Sequence, residues 1–169
     1  KAIQMSYKSF RRTEPTTFEA HPYCLKIFRQ RWYMLAHTIG KEELRIYSLD
    51  RIADIEVLDT PLLLPENFDA TDFFSDYFGI IIGHNIKPSI LELQASAEQA
   101  KYLESLPLHS SQEVVETTPE YTIFRYRIVP TFDLKQEILS RGATLEVLSP
   151  EWFREEVISE IEKMMKNYL

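Results

Sequence analysis

The sequence has one cysteine, no apolar run that approaches membrane-spanning length, and none of the short motifs that mark the common catalytic chemistries. Each absence removes a class of protein. The lone Cys24 can close no internal disulfide and has no second thiol for a zinc cluster, so it reads as a small buried hydrophobe in a protein of the reducing cytoplasm. A membrane span needs ~18 consecutive apolar residues, so none is expected. The opening residues carry no secretory signal pattern. The P-loop, dinucleotide-binding, zinc-protease and nucleophile-elbow motifs are all missing. His21, His37, His84 and His109 lack the i, i+4 partner that would seat a metal on one helix, and read as hydrogen-bonded structural groups. Carboxylates are plentiful, yet no motif pairs them for acid–base work. No catalytic residue, metal or cofactor is assigned, and the chain is not expected to be an enzyme; a hydrolase built on His37 or His109 is the minor alternative.

Repeats and low-complexity stretches are absent too, so the 169 residues form either one ordinary domain or two small ones. Charge separates the two ends. Residues 1–60 hold ten Lys/Arg against eight Asp/Glu, net +2, whereas residues 61–169 hold nine against eighteen, net −9. Lys1, Lys8, Arg11 and Arg12 face no acid within the first twelve residues. An anionic partner should therefore meet the N-terminal half, if these cations are more than a solvated surface.

Ile3, Met5 and Tyr7 alternate as in a half-buried strand, and a chain that opens inside a strand without methionine points to a piece of a longer protein. Beyond the polar RRTEPTT loop, PYCLKIF, WYMLAHT, ELRIYSL and ADIEVLD read as four more strands. FRQR, Gly40-Lys41 and SLDRI supply their tight connections. Five such strands predict a small all-β barrel over residues 1–60, closed so that no edge is exposed. Residues 61–84 read as a connector: Pro61 and Pro65 resist strand pairing, Asp69 and Asp72 open a short helix, and Gly79 stops it. Its phenylalanines read as packing.

From Ile86 the order becomes strand and helix: ILELQAS, AEQAKYLESL, the EVVETT–YTIFRYRIV hairpin, TFDLKQEILSRG and ATLEVL. Thr131 is the expected cap of the second helix and Gly142 its stop. Ser149-Pro150 then opens a last helix with proline in the first position, and Trp152, Phe153, Val157, Ile161, Met164, Met165 and Tyr168 predict one buried face. This β-α-β-β-α-β order over residues 85–169 is that of an α+β, ferredoxin-like unit with an extra C-terminal helix.

On the third strand, Trp32, Met34 and Ala36 share one face, taken as core, while Tyr33, Leu35 and His37 share the other. Arg45, Tyr47 and Leu49 share a face of the next strand. A straight chain would hold Arg51 ~20 Å from Arg45 at ~3.3 Å per residue, but a corner at Ser48–Asp50 can gather both guanidiniums into one patch. With Tyr33 and Tyr23 nearby, they would form a cationic pocket with aromatic walls, suited to phosphate or carboxylate and to a stacked planar group. Equally open is that Arg45 and Arg51 simply pair with Glu43, Asp50 or Asp54, contributing ~0–1 kcal/mol each.

HPYCLK at 21–26, RWYMLAH at 31–37 and RIYSLDRI at 45–52 together resemble the WYL domain of bacterial transcriptional regulators, with Met34 in place of the leucine of the Trp-Tyr-Leu run. LPLHSSQE at 106–113, LKQEILSRG at 134–142 and EVLSPEWFREE at 146–156 resemble the C-terminal extension of the same regulators. The resemblance implies an Sm-like or SH3-like barrel that senses an effector, single-stranded DNA or a nucleotide-like anion. It implies Arg45 and Arg51 as anion clamps, with Tyr33, Tyr23 and His21 beside them and Tyr7 and Lys8 as further contacts. Where many relatives carry an arginine ahead of the Pro-Tyr pair, this chain has Phe18 and Glu19, which lowers the positive charge of the implied pocket. In such regulators promoter DNA is gripped by an N-terminal helix-turn-helix, and no such motif is visible here. A homodimer is implied, and the competing reading is an assembly module whose second half pairs with another copy through the last helix.

Overall fold

The alternating IQMSY stretch forms strand β1 (Ile3–Tyr7), which buries Ile3, Met5 and Tyr7. In this computed structural model, which describes residues 1–83 and 86–169, the chain divides into two units, Lys1–Phe73 and Phe74–Leu169. His84, and with it the expected end of the connector, lies outside the described residues.

In the first unit β1 is followed by β2 (Thr16–Phe28), β3 (Arg31–Thr38), β4 (Leu44–Ser48) and β5 (Ile52–Val57), in an antiparallel sheet of order β4-β3-β2-β1-β5. The expected barrel closure is not formed. The strands β4 and β5 are the two edges, with no ladder between them among the described residues, because the short 3-10 turn Leu49–Arg51 turns the chain from one edge to the other. Pro22 sits within the long β2, where it has no amide to give a ladder; the register shifts between Pro22 and Cys24, and the bulge leaves Tyr23 outside the pairing. Two residues, Arg29 and Gln30, turn β2 into β3 with φ of 47° and 65°, the left-handed geometry of a tight hairpin.

The core of this unit gathers Ile3, Met5, Tyr7, Ala20, Met34, Ala36 and Tyr47. Trp32 is not part of it, contrary to the expectation that it joins Met34, and is 51% exposed. The reason is register. Among its β3 pairings β4 reaches only as far as Tyr33, so Trp32 is left paired with Ile27 on the far arm of the β2–β3 hairpin.

A helix does begin at Asp69, whose carboxylate accepts the Asp72 amide (2.9 Å), but α1 (Ala70–Phe74) ends well short of Gly79. The second unit runs β6 (Ser89–Ser96), α2 (Ala97–Ser105), β7 (Glu113–Thr117), β8 (Tyr121–Ile128), α3 (Phe132–Ser140), β9 (Leu145–Ser149) and α4 (Glu151–Lys166). Its antiparallel sheet has the order β7-β8-β6-β9. Leu91, Leu93, Phe124, Tyr126, Ile128, Leu134, Ile138 and Phe153 form the core. Ser96 caps α2 by accepting the Gln99 amide (3.2 Å). Thr131 occupies the cap position of α3 without capping it; its hydroxyl turns to Asp133 instead. That buried carboxylate also accepts the amides of Ile80 (2.8 Å), Ile81 (3.0 Å) and Leu134 (3.0 Å), fastening the 80–81 segment to α3. Pro150 is the cap of α4 rather than its first residue. Only Phe153 and Val157 of the expected face of α4 are buried, since the underlying core covers just the first turns of a 16-residue helix.

Candidate anion-binding cleft

Strand β1 ends at Tyr7, and the chain continues through the basic run Lys8-Ser9-Phe10-Arg11-Arg12. The Lys8 amide donates to the Arg51 carbonyl (2.9 Å), which ties this run to the turn between β4 and β5. That turn is held from both sides. The Ser48 hydroxyl donates to Asp50, and the Ser48 amide donates to the Tyr7 hydroxyl (3.3 Å).

The half-buried Arg51 side chain lies against two rings, its guanidinium carbon 5.2 Å from the Tyr7 centroid and 4.6 Å from that of Phe10. Phe10 is 85% exposed, so it presents ring surface to a ligand as well as to Arg51. A cleft of about 540 Å³ is lined by Lys8, Phe10, Arg12, Thr13, Asp50 and Arg51 among others. Three cations thus surround one carboxylate. Asp50 itself is engaged by the Arg31 guanidinium (3.4 Å). The Ser48 hydroxyl, and then Arg31 and Arg51, hold the Asp50 carboxyl below its ordinary range. Burial pushes the Tyr7 phenol up, so near neutrality it remains a neutral hydrogen-bonding group. Such a site can grip a phosphate or carboxylate with forked donors and stack a planar group beside it.

The residues proposed from sequence fall in different places. Arg51 and Lys8 line this cleft, and Tyr7 supports it from below through Arg51. Arg45 is exposed on β4, opposite Ala36 and on the same face as Tyr47, and is not in the cleft lining. Tyr33 pairs with Ser48 and so points to the other face of the sheet from Arg45. His21 is buried: its Nδ1 accepts the Leu63 amide (3.3 Å), and its ring stacks on that of His37 with centroids 6.2 Å apart. Tyr23, pushed out by the bulge, rests on Phe68 at 5.0 Å. His37 Nε2 donates to the Lys41 carbonyl (2.8 Å), and His109 Nδ1 lies 2.8 Å from the Ser111 hydroxyl. Phe10 and Arg12, which also line the cleft, lie outside the motifs that imply the ligand contacts. Their signal was the run of cations without acids after the first strand, which places a basic loop wherever β1 ends.

Among the described residues no group of histidine, cysteine and acidic side chains could hold a metal, and no helix is long and apolar enough to cross a membrane. Residues 1–57 match the WYL domain and residues 90–165 match the WCX domain. The chain thus carries a WYL domain followed by a WCX domain. Among solved structures it is similar to Proteasome accessory factor B/C (PafBC) of Arthrobacter aurescens, at 18% identity and TM-score 0.41, covering 99% of this chain and 25% of that one. It is also similar in fold to a CRISPR Cas-related protein, at 13% identity and TM-score 0.53, covering 99% of this chain and 47% of that one. The chain thus spans less than half the length of either. No curated protein matches it.

Proposed function

We propose that the chain is the effector-sensing regulatory region of a bacterial DNA-binding transcriptional regulator, acting by binding rather than catalysis in the cytoplasm. The ligand is an anion, single-stranded DNA or a nucleotide-like molecule, held by Arg51, Lys8 and Arg12 with Phe10 as the stacking ring. The observation that carries this reading is the convergence of three cations and an exposed ring on one cleft whose single carboxylate is already engaged by Arg31. Ligand binding shifts an equilibrium between two arrangements of the protein by its difference in affinity for them. Promoter contacts come from a helix-turn-helix elsewhere in the whole protein. We read the five-strand sheet, with its edges joined by a 3-10 turn, as Sm-like or SH3-like, and the β-α-β-β-α-β unit as ferredoxin-like. Residues 1–60 form the sensing domain, 61–84 a connector and 85–169 the extension.

Titrating a short single-stranded oligonucleotide, and separately a mononucleotide, into the wild type and single alanine variants tests the reading. Lys8→Ala and Arg12→Ala weaken binding, while Arg45→Ala, outside the cleft lining, changes it little. Equal loss at Arg45 and none at Lys8 or Arg12 would move the site away from this cleft. A second reading, homodimeric assembly through the second unit, is favoured by the exposed apolar end of α4.

A further inference from the structure

The hairpin of β2 and β3 reaches beyond the rest of its sheet. β1 pairs with β2 only over residues 16–20, and β4 pairs with β3 only over residues 33–37, so the arm at residues 24–32 is laddered by the hairpin alone. Along residues 25–28 the side of β2 that faces away from β3 meets no other strand among the described residues. An open edge of this kind is a template for one more strand. The two faces of the arm differ in character. Leu25, opposite Met34, and Ile27, opposite Trp32, continue the core face outward, and Leu25, Ile27 and Trp32 are 51% to 57% exposed. Lys26, opposite Tyr33, belongs to the other face. From Ala20 to Lys41 there is no acidic residue, against Lys26, Arg29, Arg31 and Lys41. Of these, Arg31 is engaged with Asp50 (3.4 Å).

We propose that this arm docks an extended acidic segment of another protein, which adds as a strand beside residues 25–28 with its apolar residues toward Leu25 and Ile27 and its acidic residues toward Lys26. The anion cleft has no part in it. Side chains alternate across a sheet, so a segment with apolar and acidic residues in turn matches both faces in a single register, and a slip of one residue sets its acids on Leu25 and Ile27. Opposite charges on neighbouring strands add to the pairing. A nucleic acid fits this edge less well, because aliphatic side chains offer no face on which a base can stack. Pro22 and the bulge at Tyr23 interrupt β2 ahead of the arm, which confines the ladder to residues 25–28, ~13 Å at ~3.3 Å per residue.

The probe is a labelled nonapeptide of alternating valine and glutamate, followed by fluorescence anisotropy as the 169-residue chain is added. It binds saturably, and two controls bind about tenfold or more weaker: the same composition with all valines ahead of the glutamates, and the alternating peptide with lysine in place of glutamate. N-methylation separates an added strand from a plain apolar contact. A strand turns only every second amide toward its neighbour, so methylating one alternate set of amides keeps the parent affinity and methylating the other loses about tenfold or more. Ile27→Glu weakens the peptide about tenfold and Lys26→Glu a few-fold, while single-stranded oligonucleotide binding stays that of the wild type. An unaltered circular dichroism spectrum checks that each variant folds. Absence of saturable peptide binding, equal binding of both methylated peptides, or indifference to Ile27→Glu overturns the proposal. Oligonucleotide binding lost in Ile27→Glu would make the arm a nucleic-acid surface, and self-association abolished by Ile27→Glu in sedimentation equilibrium would make a second copy its occupant; either result overturns it as well.

Discussion

Replacing Arg51 with alanine should separate a ligand site from a merely basic surface. Arg51 is half-buried and held between the Tyr7 and Phe10 rings, so its fork is presented to the cleft without having to be ordered on binding. A charge-assisted bond from such a group to phosphate contributes about 1.5–3 kcal/mol. The corresponding rise in Kd is roughly 10- to 150-fold. An exposed lysine or arginine attracting the same ligand without a fixed geometry contributes ~0–1 kcal/mol. Salt provides an independent reading. Each phosphate contact on a single strand contributes about 0.7 to the slope of log affinity against log salt, so the three cations of the cleft give a slope near −2 and Arg51→Ala leaves about −1.4. Arg51→Lys should keep the slope and lose affinity, because the charge stays and the fork goes. Fluorescence anisotropy of a short labelled oligonucleotide between about 50 and 200 mM salt measures both quantities. If Arg51→Ala changes neither the Kd nor the slope, the cleft is not where the anion binds.

Asp50→Asn removes the one carboxylate of the cleft and should tighten anion binding a few-fold in the same titration; weaker binding would mean that Asp50 organises the site rather than opposing the ligand. Because the folded-state pKa of Asp50 is depressed, its contribution to stability is present above the ordinary carboxylate range and is lost as pH falls through the folded value. Thermal melts of wild type should therefore decline in acid more steeply than those of Asp50→Asn. Asp133→Ala leaves the Ile80 and Ile81 amides without their acceptor and should cost about 2–4 kcal/mol in urea unfolding, with faster hydrogen exchange at those two amides and unchanged anion binding. Leu93→Ala, at a fully buried position, should cost about 2–5 kcal/mol by the same measurement. Gln30→Gly relieves a left-handed non-glycine residue in the β2–β3 turn and should raise stability by about 1 kcal/mol.

What could be read without coordinates was local. Alternation of Ile3, Met5 and Tyr7 marked a strand with one buried face, the helical steps of α2 and α3 marked their lengths, and Gly142 marked a stop with its φ of 59°. These follow from the two side-chain periods and from backbone sterics, which act within a few residues. Register, edges and depth of burial do not. Trp32 looked like core beside Met34, yet whether a strand residue is covered depends on how far its neighbouring strand reaches, and β4 stops one position short of it. Arg45 and Arg51 stand six positions apart in one motif, but the strand pairing assigns Arg45 to a face of the sheet and the 3-10 turn assigns Arg51 to a loop cleft. Phe10 and Arg12 join Arg51 because a backbone bond from Lys8 to the turn brings together segments some forty residues apart. The apolar stripe of α4 was plain in its period, while its exposure depends on where the core beneath it ends. Chemical character and local conformation are thus properties of neighbouring residues along the chain, whereas a site needs side chains from distant segments at set distances, and only the paired sheet and its turns supply those distances.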